Sequence, residues 1–224
     1  MKPAAGLLAL VVVALVAGYA LGSGGDGSAP PSGGSATPAA ATQPATSAPP
    51  AKSAPPVMDE TSFWALISDT REEAGNDTGR QSELLEERLS RLPGQQIVDF
   101  QRIRHRLDEQ AYTWDLWAAA YVIEDGCSDD CFRDFRAYLI SLGREPYEAA
   151  LRDPDSLAPV VEDAETGDWE NADSVAGDAY ESAVGEDIPA EDSDLSGDPR
   201  GEPWDDEDQD ALVQRYPQLA ARFR

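Results

Sequence analysis

The chain has 224 residues, with 43 Asp and Glu residues against 17 Lys and Arg residues, so its formal net charge at pH 7 is −26. Residues 58–224 are more acidic still, because they contain 15 Arg, no Lys and 42 Asp and Glu residues, a formal charge of −27. This charge makes nucleic acid and anionic lipid poor partners. Runs of charged residues usually face solvent and serve only solubility or adaptation to salt. The alternative interpretation is a functional surface that binds a basic partner or divalent cations.

The first 22 residues are apolar, with Lys2 as the only charged side chain. Nineteen such residues would rise about 28 Å as a helix, close to the thickness of the hydrocarbon core of a bilayer. Small residues near Ala20 would also suit a signal peptidase. The sequence therefore predicts an apolar N-terminal helix, residues 1–22, that is either a single membrane anchor or a cleaved signal peptide. Because Lys2 precedes the apolar run, the positive-inside rule places the following chain outside the cytoplasm.

Residues 23–57 are rich in Pro, Ala, Ser and Gly, and they carry one acid, Asp26, and one base, Lys52. This composition cannot form an apolar core, so it predicts a disordered linker. Residues 58–224 are enough for one compact domain. Within that domain, residues 186–210 form an acidic segment.

Helical periodicity runs through residues 58–224, without a convincing period-two strand pattern. We therefore expect an all-α, compact multi-helix domain of about six or seven helices. The predicted helices are 59–73, 82–92, 95–111, 114–123, a helix from 128 to Gly143, 146–151, and 210–222 with a kink near Pro217. Residues 171–184 are helical in pattern, but polar residues dilute their apolar face, which leaves the docking of that helix in doubt. Residues 114–123 are apolar on nearly all sides, which predicts that this helix lies at the centre of the domain.

Cys127 and Cys131 are four residues apart, across the start of a predicted helix. Thiols outside the cytoplasm usually oxidise, which favours a disulfide bond. Unpaired structural thiols and a redox site are the alternatives, although the carboxylates of Asp129 and Asp130 disfavour a reactive thiolate. His105 is the only histidine and falls on the predicted solvent face of its helix, which argues against a catalytic or zinc-binding role.

Carboxylates beside aromatic residues suggest glycan hydrolysis. Asp115, between Trp114 and Trp117, is the best single acid/base candidate, and Glu145 is a second one. The other explanation is that an acid is favoured in the first turn of a helix by capping and by the helix dipole. Three arginines could bind an anion together or could pair with the chain's own acidic residues: Arg133, Arg136 and Arg144.

Part of a calcium-binding loop lies in the acidic segment. Asp192, Asp194 and Ser196, followed by a glycine, match the first half of an EF-hand loop. The twelfth position is Pro203 rather than Glu, and Glu202 comes one place early. The site is therefore incomplete, and the sequence predicts neither a resident metal nor a cofactor.

Four short motifs carry a family resemblance: a Phe-Trp pair, a Trp-Asp-x-Trp helix that ends in Tyr, a Gly-Cys-Ser-Asp-Asp turn and a Gly-Arg-Glu exit. Their residues are Phe63, Trp64, Trp114, Asp115, Trp117, Tyr121, Gly126, Cys127, Ser128, Asp129, Asp130, Gly143, Arg144 and Glu145. With these motifs the chain resembles the bacterial family called domain of unknown function 4240, from about Met58 to the C-terminus. The resemblance implies no activity. Cys131 departs from the family pattern, so the resemblance does not imply a disulfide bond.

The sequence contains no credible nucleophile, metal-ligand set or phosphate-binding loop. We therefore predict an extracytoplasmic helical domain, membrane-tethered or secreted, that acts as a non-enzymatic protein-interaction module. One alternative is a carboxylate-dependent hydrolase acting on envelope glycans. Another is an acidic inhibitor or immunity-type protein that binds a basic partner.

Overall fold

The computed structural model describes residues 57–162, 169, 174–190, 197–205 and 208–224. Over these residues the chain forms nine α-helices and no β-strand, which confirms the all-α prediction. The helices are α1 Glu60–Ala74, α2 Thr78–Leu89, α3 Gly94–Ala111, α4 Trp114–Ile123, α5 Asp129–Ser141, α6 Arg144–Arg152, α7 Val175–Val184, α8 Gln209–Arg215 and α9 Pro217–Phe223. They outnumber the predicted six or seven because α7 does form and because the predicted kink near Pro217 separates two helices.

The predicted N-terminal helix, residues 1–22, and all of the predicted linker except Val57 lie outside the described residues. Among the helices that the structure describes, none combines the length and the apolar character that crossing a bilayer requires.

In five of the described α-helices, the side chain of the residue directly before the helix caps its N-terminus. Thr113 accepts a hydrogen bond from the Leu116 backbone N–H at 3.2 Å, and α4 begins where the sequence predicts. Asp77 caps α2 in the same way, accepting from the Arg80 N–H at 2.8 Å. The prediction that α2 begins at residue 82 is therefore wrong by about one turn, because Asp77 starts α2 and does not belong to the end of α1.

Helix α4 contributes small side chains to the core, which allow neighbouring helices to pack closely against it. Ala118, Ala119 and Ala120 are fully buried, as is Val122. Buried polar groups then tie the surrounding helices together. The Gln81 amide donates to the Ser141 carbonyl at 3.1 Å, which links α2 to α5.

Helix α7 packs against α2 and α3, which removes the doubt about its docking. Its buried residues are small: Val175, Ala176 and Ala179. The facing position on α3 is Gly94, where an added Cβ would lie 2.9 Å from Val184 Cγ2 and 3.2 Å from Tyr180 Cε2. The helices can therefore come close together because Gly94 has no side chain and the buried residues of α7 are small, although the apolar face of α7 is short.

The described part of the acidic segment is anchored to the end of α3. The Arg200 N–H donates to the Tyr112 carbonyl at 3.1 Å, and the Trp114 N–H donates to the Arg200 carbonyl at 2.9 Å. The Arg200 guanidinium also donates to the Gln110 carbonyl, one of the orphan acceptors at the end of α3. Further along, the Trp204 ring lies 4.7 Å from the Tyr121 ring. This segment is therefore fixed to the domain at Arg200 and Trp204.

We expect stability to fall as the pH rises from 9 to 11.5. Burial raises the pKa of Tyr216 to about 12, and burial also raises the pKa of Tyr147. Unfolded tyrosine loses its proton near pH 10, so above that pH the unfolded state binds fewer protons than the folded state. The free energy of unfolding should drop by about 1–3 kcal/mol over this range. Residues 58–224 contain no Lys, so few other side chains titrate there.

Urea unfolding of the chain and of a Tyr216→Phe variant at pH 9 and 11.5 would measure this effect. The variant should show a smaller pH-dependent loss, since one of the titrating groups is gone. Equal stability of the parent chain at the two pH values would contradict the expectation.

Candidate functional site

A groove of about 460 Å³ lies between α3 and α5, and Trp117 of α4 also contributes to its lining. We call it the α3–α5 groove. Its lining side chains are aromatic or charged, apart from one alanine: Arg104, His105, Asp108, Glu109, Tyr112, Trp117, Asp129, Asp130, Phe132, Arg133, Arg136 and Ala137. A volume of this size is in the range of sites that hold a small molecule or a few side chains.

Four aromatic rings form a stack, and three of them, those of Tyr112, Trp117 and Phe132, line the groove. The ring centroids of Trp114 and Trp117 are 5.3 Å apart with planes inclined by 5°, and those of Trp117 and Phe132 are 5.0 Å apart at 10°. Tyr112 continues the stack 6.0 Å beyond Phe132. The Trp117 indole N–H donates to the Cys127 carbonyl at 2.9 Å, and this hydrogen bond fixes the orientation of the Trp117 ring within the stack.

Arg136 forms the floor of the groove. Its side chain is only 4% exposed, and its guanidinium donates two hydrogen bonds to the carboxylate of Asp108, at 3.0 and 3.1 Å. The guanidinium carbon lies 4.7 Å from the centre of the Tyr112 ring and 4.8 Å from that of Phe132. Such a bidentate, ring-stacked pair is rigid, and only arginine provides its geometry.

The first turn of α5 forms one edge of the groove and carries Asp129 and Asp130. Ser128 caps this turn, accepting from the Cys131 N–H at 3.3 Å. Asp130 pairs with Arg133 at 3.2 Å, whereas the Asp129 carboxylate has no partner among the described residues. The helix dipole favours negative charge in this turn.

Cys127 and Cys131 are joined by a disulfide bond, with their Cα atoms 5.3 Å apart. The bond closes the turn that carries Asp129 and Asp130. Both cysteines are partly buried, beside the contact between Trp117 and the Cys127 carbonyl. The disulfide therefore braces the edge of the groove from the side of α4.

The two carboxylates that the sequence suggested for acid/base chemistry lie apart from the groove. Asp115 is about half exposed and forms an ion pair with Arg215 of α8. Glu145 is exposed in the first turn of α6. Neither is among the residues that line the groove.

The structure corrects the placement of His105. The sequence predicted a solvent-facing residue, but His105 is partly buried and lines the groove, because α5 packs across that side of α3. Of the three arginines considered for anion binding, Arg133 and Arg136 reach the groove and pair with acids of the domain. Arg144 pairs with Glu148 at 2.6 Å on α6.

Three of the suggested calcium ligands, Asp192, Asp194 and Ser196, lie outside the described residues, and Glu202 is exposed. In the part of the chain that the structure describes, no three acidic, His or Cys side chains converge as a metal site would need.

Some of the motif residues lie in the core, some line the groove, and others, such as Arg144 and Glu145, are exposed elsewhere. Phe63 and Trp64 are buried in the core, and Gly143 has a φ of +96° in the turn between α5 and α6, which favours glycine. Trp117, Asp129 and Asp130 line the groove. Sequence reasoning did not identify the Asp108–Arg136 pair, whose partners are 28 positions apart. Residues so far apart lie on different helices, so the periodicity within one helix does not indicate that they pair.

The fold and the groove define a small acidic all-α domain with an aromatic, charged cleft. The chain belongs to the family described as "Protein of unknown function (DUF4240)", whose model matches residues 58–182. The match covers α1 to most of α7 and contains every residue of the groove, but it ends before α8 and α9. It confirms the predicted family, over a shorter range than expected. No curated protein and no solved structure matches the chain.

Proposed function

We propose that this domain is a non-enzymatic interaction module that binds a basic protein partner outside the cytoplasm. The apolar N-terminal segment, residues 1–22, would either hold it at the membrane or be removed to release it, and residues 23–57 would serve as the spacer. The proposal is supported by the distribution of charge on the described surface.

The single observation that carries the proposal is the engagement of the arginines. All 15 arginines of residues 58–224 fall in the described part of the chain, and each interacts with another group of the chain. Several exposed carboxylates, in contrast, have no partner among the described residues, including Glu86, Asp129, Asp178 and Glu181. The charge left over for other molecules is therefore negative, which favours a cationic partner and steers its approach.

The geometry supports the two alternative functions, glycan hydrolysis and inhibition of a basic protein, to different degrees. Glycan hydrolysis needs two carboxyl groups facing each other across a cleft. Asp115 and Glu145 lie on different helices, and Asp115 is held by Arg215, so the geometry gives that reaction little support. An inhibitor or immunity-type protein that masks a basic enzyme or toxin would be a special case of the proposed function, and the identity of the partner would distinguish it.

Affinity capture tests the function directly. The full chain, immobilised in non-ionic detergent, would be exposed to envelope extract at about 0.05 M and about 0.5 M salt, and the captured proteins identified by mass spectrometry. We expect a reproducible basic protein that is retained at low salt and lost at high salt, because contacts between exposed charges are screened. That protein, once purified, should bind the chain again. Reproducible capture of acidic or neutral proteins only, or of none, would refute the proposal.

The extracytoplasmic location has its own test. A reporter enzyme that folds only in an oxidising compartment, fused after Arg224, should be active in cells that express the full chain. Deletion of residues 2–22 should abolish that activity. An equally active deletion variant would refute the proposed location.

A further inference from the structure

We propose that the α3–α5 groove binds an arginine or lysine side chain of the basic partner, held between the carboxylates of Glu109 and Asp129. This inference rests on the proposed function and names the surface that performs it. The groove is thus a cation-recognition site built on the aromatic stack.

The charges of the groove lead to this assignment. Arg136 is neutralised by Asp108 through two hydrogen bonds, and Arg133 is shared between Asp130 at 3.2 Å and Asp134 at 3.1 Å. Arg104 is also engaged within the chain. The cations of the groove are therefore already used by the domain itself.

Two carboxylates of the groove remain unpaired in the described part of the chain. Glu109 near the end of α3 and Asp129 in the first turn of α5 both line the groove, and neither side chain has a hydrogen-bond or ion-pair partner among the described residues. They come from α3 and α5, the two helices that supply most of the lining of the groove. A cation between them would meet negative charge on both sides, and the charge-assisted hydrogen bonds formed there are stronger than neutral ones.

The aromatic residues suit the rest of such a side chain. Tyr112 and Trp117 are only partly buried and line the groove beside these carboxylates. Arginine and lysine have apolar stems that pack on aromatic surface while the charged head reaches polar groups. A ligand that is only charged would leave this aromatic surface unused, so the groove fits a side chain better than a free metal ion.

The walls of the groove are already rigid. The disulfide bond braces the turn of Asp129, and the bidentate Asp108–Arg136 pair fixes α3 against α5. The stack of four rings fixes the aromatic side. A preformed site loses little conformational entropy when a ligand binds, which allows a single side chain to contribute measurable affinity.

The test compares two variants with the same change in charge. The first, Glu109→Gln/Asp129→Asn, alters the groove. The second, Asp178→Asn/Glu181→Gln, alters exposed residues of α7 that also lack partners among the described residues, and one of them, like Asp129, lies in the first turn of its helix. Circular dichroism would verify that both variants are folded.

The probe is the peptide Gly-Arg-Gly-Arg-Gly-amide with fluorescein coupled to its N-terminal amine, titrated with the full chain in non-ionic detergent and followed by anisotropy. We expect the groove variant to weaken binding by on the order of tenfold and the α7 variant by less than about threefold. The citrulline version of the peptide, with the same label, should not bind measurably, because it has no cationic side chain. Equal weakening by both variants, tight binding of the citrulline peptide, or no binding of the arginine peptide by the parent chain would overturn the assignment.

The same variants, used in the capture experiment, separate this inference from the proposed function. If the groove variant still captures the basic partner as well as the parent chain does, the groove is the wrong surface while the function stands. If the parent chain captures no basic protein, the proposed function itself fails, whatever the peptide shows.

Discussion

Replacing Arg136 with methionine is expected to lower the free energy of unfolding by about 3–5 kcal/mol, because it leaves a charged carboxylate without its partner in a largely buried place. The Asp108 side chain is 14% exposed, and both of its oxygens accept from Arg136. The substitution also removes the guanidinium that lies over Tyr112 and Phe132. Urea unfolding followed by tryptophan fluorescence would measure the loss.

A double-mutant cycle separates the ion pair from simple packing. The Asp108→Asn/Arg136→Met variant should be less destabilised than the sum of its two single variants, because no uncompensated buried charge remains. The exposed Arg133→Met substitution on the same helix serves as the control and should cost less than about 1 kcal/mol. If Arg136→Met were as mild as this control, the Asp108–Arg136 pair would not be what fixes α3 against α5.

Substitution of Asp155 by alanine should have the second largest effect, about 2–4 kcal/mol, since it strips the N-terminus of α9 of its acceptors. Asp155 is 6% exposed and lies in the 3₁₀ helix Pro154–Leu157. Its carboxylate accepts from the backbone N–H of Gln218 at 3.0 Å and of Leu219 at 2.9 Å. It also accepts from the Gln218 side-chain amide at 3.2 Å. Without these bonds, the buried N–H of Leu219 and the partly buried N–H of Gln218 would lose their acceptor.

Hydrogen exchange would locate this effect. In Asp155→Ala the backbone amides of Gln218 and Leu219 should exchange much faster. The exchange rates of the α4 amides should rise only as far as the loss of global stability requires. The Asp155→Asn variant keeps one acceptor oxygen and should lose less than half as much stability. Unchanged exchange at Leu219 in the alanine variant would show that α9 docks through its apolar residues alone.

Local sequence signals located most of the helices. Helix α4 has the predicted bounds because a capping threonine precedes a run that is apolar on nearly all sides. The predicted start of α2 is about one turn late because the stop signal of α1 and the start signal of α2 lie only two residues apart. Gly75, with φ of +66°, does end α1, but Asp77 begins the next helix. A stop and a start this close together are hard to separate by composition.

The candidate site was only partly predictable. Trp117, Asp129 and Asp130 belong to the motifs that carry the family resemblance, and they do lie in the groove. Glu109 and Asp108 had no such signal, because their roles depend on which side of α3 meets α5. The misplacement of His105 has the same cause, since helical periodicity gives the faces of a helix but not the neighbour that covers each face.

The sequence by itself determined the all-α class, the family, most helix bounds and the acidic character of the domain, because each depends on local composition or on spacing within one helix. Only the tertiary structure decided that the arginines are engaged internally, that Asp155 caps a helix 63 residues away and that the α3–α5 groove exists. These features arise from contacts between segments far apart in the chain. Such contacts are set by the packing of whole helices, which short-range patterns do not encode.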